Sequence, residues 1–171
     1  MRVSSFLTVL ASGAIGLSAP ASAQVPEAVF HGQEQDWRVF TRGDGAERIC
    51  YVQSTPQEAN PASADHGDVF FLVASWANGD ADEQPSFMSG RMMRPDSPPR
   101  IRIGSDRYRM FVSEREGFVE RADEEADLVD DMRRGASMRV EATHSDGTLV
   151  VYEFSLSGVT AALQQADRLC R

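Results

Sequence analysis

Only two cysteines occur in this chain, Cys50 and Cys170, and they stand about 120 positions apart in a sequence that opens like an export signal. Met1-Arg2 is a short positive start. Phe6 to Leu17 is apolar apart from Thr, Ser and Gly. Pro20 then breaks the run before Ala21-Ser22-Ala23, a small-x-small pattern that a signal peptidase reads. The apolar stretch falls short of the roughly 20 residues a spanning helix needs, so residues 1–23 read as a signal peptide rather than an anchor. No later segment is apolar enough to span a bilayer. Cleavage near Ala23 would place the mature chain in the periplasm or outside the cell, where thiols oxidise. There the two sulfurs are expected to pair. A loop of that reach removes about 4 to 5 kcal/mol of denatured-chain entropy. It also clamps the start of the fold to its last turn, and it excludes any architecture that holds residues 50 and 170 apart.

Composition narrows the function classes. Hydrophobic residues make up 42% and charged residues 25%, which excludes collagen, low-complexity polymers and multi-span membrane proteins. The formal charge is -9, the wrong sign for a non-specific nucleic-acid binder, which must displace counterions from phosphates. Two cysteines and three histidines are too few for a Cys-rich metal site, and neither a metal nor a cofactor is expected.

Hydrophobic periodicity gives a mainly β fold. Residues 24–35 are polar, carry Pro26 and Gly32, and read as a flexible arm. Residues 36–171 read as a single β-rich domain. Asp36 to Thr41 and Arg48 to Ser54 have strand patterns separated by the turn signal Gly43-Asp44-Gly45. Thr55 to Asp68 reads as a loop. Val69 to Trp76 is the longest apolar run of the mature part and predicts a central strand buried on both faces. Ser86 to Met93 reads as a further strand. Arg100 to Val112 predicts a hairpin turning at Gly104-Ser105, a pair suited to a two-residue II′ turn. Phe118 to Arg121 is a short strand. Residues 123–134 then switch period, with Asp123, Glu124 and Glu125 at the start and Arg133 and Arg134 at the end. Gly135 follows at the expected left-handed cap, so this is an amphipathic helix. Met138 to Thr143 and Val150 to Leu156 form a second hairpin about Asp146-Gly147. Ser157 is placed to cap a C-terminal amphipathic helix with Val159, Ala162, Leu163, Ala166 and Leu169 on one stripe. The expected fold is an antiparallel β-sandwich or barrel-like domain with two helices covering an edge or an end.

Several patches resemble one family. Leu128 to Ala136 is similar to the amphipathic helix ending in a basic pair and Gly of the invasion-associated locus B family of exported bacterial proteins. Phe154 to Leu163 followed by Cys170 resembles that family's closing segment, with Val159 where Phe is usual. Ile103-Gly104 leading to Phe111 resembles its middle hairpin, and Trp37 followed by Cys50 its opening. The resemblance implies an envelope or secreted protein of Gram-negative bacteria, some members being linked to host-cell invasion. It supplies no catalytic residues.

Reactive motifs are sparse. The sequence has no G-x-S-x-G elbow, P-loop, dinucleotide fingerprint or H-E-x-x-H. His31, His66 and His144 are far apart, each among polar neighbours typical of loops. His66-Gly67-Asp68 offers too few ligands for a metal without a third. The one departure from a bland composition is that all 17 basic residues are Arg. With Gly104-Ser105 as a two-residue turn, Arg102 opposes Arg107 and Arg100 opposes Arg109. Like charges directly opposite are destabilising, so something must compensate. Either Glu114, Glu116 or Glu120 neutralises them, or an anionic partner does, gripped by guanidinium forks. Arg91 and Arg94 would extend such a patch.

The leading expectation is a non-enzymatic envelope or secreted module that acts on an envelope or host protein, or on an anionic surface. A periplasmic protein binding a small ligand or an anionic glycan is the alternative. It would call for a cavity near Trp37, Trp76 and Phe70. A carboxylate-dependent hydrolase would call for two convergent acids.

Overall fold

The computed structural model describes residues 26–171, so the expected signal peptide at 1–23 lies outside the described residues. Eleven strands form one open sheet in the order β1-β2-β3-β5-β6-β9-β8-β7-β10-β11-β4, every neighbouring pair antiparallel. The strands are β1 (Ala28–Glu34), β2 (Trp37–Arg42), β3 (Ile49–Ser54), β4 (Glu58–Asn60), β5 (Phe70–Trp76) and β6 (Gln84–Met88). They continue as β7 (Arg100–Ile103), β8 (Asp106–Ser113), β9 (Glu116–Val119), β10 (Ser137–Thr143) and β11 (Leu149–Ser155). Helix α1 (Ala122–Arg134) follows β9, and α2 (Val159–Cys170) closes the chain.

The sheet turns over at β8. Residues 106–109 of that strand pair with β7, whereas 110–113 pair with β9, so one backbone carries both ladders. The two halves then face each other. Phe71 on β5 meets Phe154 on β11, and Phe87 on β6 meets Tyr152, with ring centroids 5.9 and 5.7 Å apart. The Trp37 indole donates across the same interface to the Ser155 carbonyl at 3.0 Å. Alternation explains the core. Cys50, Val52, Phe71, Val73 and Phe87 point inward from one half, and Ile101, Val140, Ala142, Tyr152 and Phe154 from the other. Burying side chains of this size contributes on the order of 1.5 to 3 kcal/mol each.

Both helices lay an apolar stripe on this core. Leu128, Val129 and Met132 of α1 are buried, as are Val159, Ala162, Leu163 and Ala166 of α2. Tyr108 of β8 fixes α1 by donating to Asp131 at 2.5 Å; burial and this bond raise the phenol's pKa, while the same bond and Arg134 lower that of the carboxylate. The last turn of α2 is held by Arg48, which donates to the Leu169 carbonyl at 3.0 Å, and by the Cys50–Cys170 disulfide.

Several expectations need correction. Residues 28–34 of the supposed arm are strand β1, paired with β2 along its whole length. A β-bulge near Gly32 and an outer edge exposed to solvent hide it from a periodicity count. The loop after β3 contains a three-residue edge strand, β4, paired with β11. Strand β5 is not buried on both faces: Phe71 and Val73 are, but Phe70, Leu72 and Ala74 on the other face are half-buried. Gly135 is extended (φ -80, ψ 163) rather than left-handed. It is needed for room, since a Cβ there would lie 2.7 Å from Ile103 Cγ2 and 2.8 Å from Leu156 Cδ1. Ser157 does not cap α2; the residue before the helix is Gly158, at φ 89, with no side-chain cap.

Candidate functional site

The arginine hairpin forms as the alternation demands. Ile101 and Ile103 are buried, while Arg100 and Arg102 point outward, and β8 answers with Arg107 and Arg109 outward. The register places Arg102 opposite Arg107 and Arg100 opposite Arg109. Gly104 takes φ 56 at the first turn position, the conformation a II′ turn requires and one that a side chain disfavours.

What surrounds the four guanidiniums decides between the two explanations. Among the described residues, none of Arg100, Arg102, Arg107 and Arg109 lies within ion-pair distance of a carboxylate, and Glu114, Glu116 and Glu120 pair with no arginine. The one hydrogen bond from the group runs from Arg107 to the Ser105 carbonyl of its own turn, at 3.1 Å. Next to them on β10, opposite Arg102, stands Arg139. It is already occupied, donating at 2.9 Å to both Glu141 and Glu153. The face is therefore polarised, with guanidiniums free of ion pairs over β7 and β8 and, beside them, a network of one arginine and two glutamates whose Glu141 stands opposite Arg100. A cleft of about 700 Å³ opens over this face, lined by the four arginines with Ile101, Tyr108, Arg139 and Glu141.

Arg91 and Arg94 do not extend the patch. Arg91 pairs with Asp65 at 3.0 Å and Arg94 with Asp96 at 2.6 Å, both on the surface. Trp37, Trp76 and Phe70 do not share a cavity either. Trp37 is wholly buried, and Phe70 lines a small cleft of about 230 Å³ beside His66.

The histidines are where reasoning from the sequence fell short. His66 and His144, 78 positions apart, meet in space through Tyr152, with imidazole centroids 6.5 Å apart. The Tyr152 hydroxyl lies 3.0 Å from His66 Nδ1 and 3.5 Å from His144 Nε2, which is also 3.5 Å from Ser89 Oγ. His66 Nε2 lies 3.0 Å from the Pro61 carbonyl, so its proton sits there and Nδ1 accepts from Tyr152. Burial lowers the pKa of His144 and raises that of Tyr152 to about 12. The cluster ties three loops at one end of the fold. Long-range pairing of β11 with β10 and β4 creates it, and no local spacing signals it. His31 is elsewhere, on β1, 2.7 Å from the Thr41 hydroxyl.

Comparison with known proteins gives one match. A family model described as "Invasion associated locus B (IalB) protein" covers residues 37–167, from the first residue of β2 almost to the end of α2. No curated protein and no solved structure matches the chain.

Proposed function

The chain belongs to the invasion-associated locus B family, and from that premise we propose that it is an exported, non-catalytic module that holds an anionic partner on its arginine hairpin. One observation carries the reading: four outward guanidiniums are stacked in opposed pairs with no carboxylate within ion-pair distance among the described residues, in a chain whose net charge is -9. Opposed like charges cost on the order of 0.2 to 1 kcal/mol per pair, and a bound anion removes that cost while gaining charge-assisted, bidentate hydrogen bonds. Guanidiniums stay protonated at any physiological pH, so this face can bind and orient an anion but cannot exchange protons with one. That favours recognition over acid–base catalysis. Export is supported by the Cys50–Cys170 disulfide, which suits an oxidising compartment, and is compatible with the absence of any described helix long and apolar enough to cross a membrane. The partner in this reading is an envelope or host component, met in the periplasm or outside the cell.

Calorimetric titration of the full mature protein with inorganic phosphate and pyrophosphate at low ionic strength tests it. Arg102→Ala combined with Arg107→Ala is expected to weaken binding at least about tenfold, a loss of about 1.4 kcal/mol. Added salt should weaken wild-type binding as well, because exposed charges are screened. Anion binding untouched by the double substitution would end the proposal.

A further inference from the structure

We infer that the arginine face and the depression beside it form a single site for an acidic oligosaccharide, an inference that rests on the anion-binding reading above. A second cleft, of about 680 Å³, meets the first along Arg107, Tyr108 and Arg109. Its other walls differ in character. Phe111, 48% exposed, Pro95 and Pro98 line it together with Glu120, Glu124 and Arg121, the last paired with Asp123.

Strand β8 sets the spacing. Arg107, Arg109 and Phe111 alternate on its outward side and are exposed in turn. At about 3.4 Å per residue, the two arginine pairs lie about 7 Å apart, and Arg107 and Phe111 about 14 Å apart. Phe111 is backed by Phe118 on β9, with ring centroids 5.7 Å apart. The site thus offers two guanidinium pairs, an apolar aromatic surface and two carboxylates. Glu120 and Glu124 make no ion pair among the described residues and are free to accept hydrogen bonds.

An acidic sugar chain uses all three parts. Its carboxylate, sulfate or phosphate groups fit the guanidinium forks. The C–H face of a neutral ring covers Phe111 and the prolines, and its hydroxyls donate to the glutamates. Competing partners use the site less well. A flat anionic bilayer does not enter a concave groove. A peptide seeking to add as a strand finds β7 paired on both edges, by β8 and β10, and on β8 only the short stretch of residues 106–109 left without a β9 partner.

The test is calorimetry at low salt with six probes: a galacturonic acid tetramer, a heparin-derived tetrasaccharide, uncharged maltotetraose, inorganic phosphate, phosphatidylglycerol vesicles and polyglutamate. At least one acidic tetrasaccharide is expected to bind about tenfold or more tighter than phosphate, with maltotetraose silent. Arg102→Ala with Arg107→Ala should weaken both phosphate and sugar at least about tenfold. Phe111→Ser, at an exposed position that leaves the core intact, should weaken the tetrasaccharide about fivefold or more while sparing phosphate. If phosphate binds through the arginines but neither tetrasaccharide binds tighter, or if Phe111→Ser changes nothing, the sugar assignment fails and the anion reading stands. Tighter binding of vesicles or polyglutamate than of both tetrasaccharides also overturns it. Loss of every interaction, phosphate included, removes both.

Discussion

Reduction of the Cys50–Cys170 bridge should weaken this fold severely without abolishing it. The bridge closes a loop of 120 positions. The chain-entropy relation assigns a loop of that length about 5 kcal/mol at 25 °C, all of it through restriction of the denatured chain. That is a large share of the 5 to 15 kcal/mol that typically separates folded from unfolded domains. The native side loses little, because α2 keeps its buried stripe of Val159, Ala162, Leu163 and Ala166 and the Arg48 bond to its last turn. Urea unfolding of the protein, with and without reductant, measures the difference. With a urea dependence of about 2 kcal/mol per M, the midpoint should fall by about 2.5 M, and the slope should steepen as the reduced denatured chain expands. Cys50→Ser with Cys170→Ser should reproduce the reduced curve. A midpoint shift below about 0.5 M would refute the entropic argument. Two free thiols in the native protein would remove its premise.

Two further outcomes follow from the same structure. Because burial depresses the pKa of His144, the unfolded chain takes up that proton near pH 6.5 while the folded one resists it. Below that pH the unfolded state binds more protons, so stability should fall as pH drops from about 6.5 toward 5. Asp65, Asp146, His66 and Arg91 are the charged and titratable groups around it. His144→Gln should flatten the curve in that window, and a wild-type stability that rises on acidification would contradict the account. Gly135→Ala should lower the melting temperature by about 5 °C, from an overpacking cost of about 1 to 3 kcal/mol against Ile103 and Leu156. An unchanged or higher melting temperature would show that those side chains yield freely.

Local chemistry made part of this molecule legible in its sequence. The β7–β8 hairpin was readable to the residue, because Ile and Arg alternate on both arms and Gly104-Ser105 fixes the register. Helix α1 was readable because acid, apolar stripe and base fall at helical spacing with the right polarity. Strands β1 and β4 were not, since polar edge strands with a bulge or only three residues have no periodic signature. The burial of β5 was misjudged because an apolar run cannot say whether its second face is covered. The arginine pairs were visible as a pattern, but their lack of acidic partners was not, because Arg139 takes Glu141 and Glu153 only once β10 and β11 are side by side. The meeting of His66 and His144 at Tyr152, like the placing of Phe111 beside the arginines in one groove, depends on tertiary pairing in the same way.

Because β8 carries a ladder to β9 on one stretch of its length and to β7 on the next, the molecule has no seam along which it could come apart in two pieces. The β8 amide protons that bond to β7 or β9 should therefore be among the slowest to exchange with deuterium, and at the rate set by complete unfolding. A binding partner seated on that strand would stiffen the whole domain rather than one lobe of it.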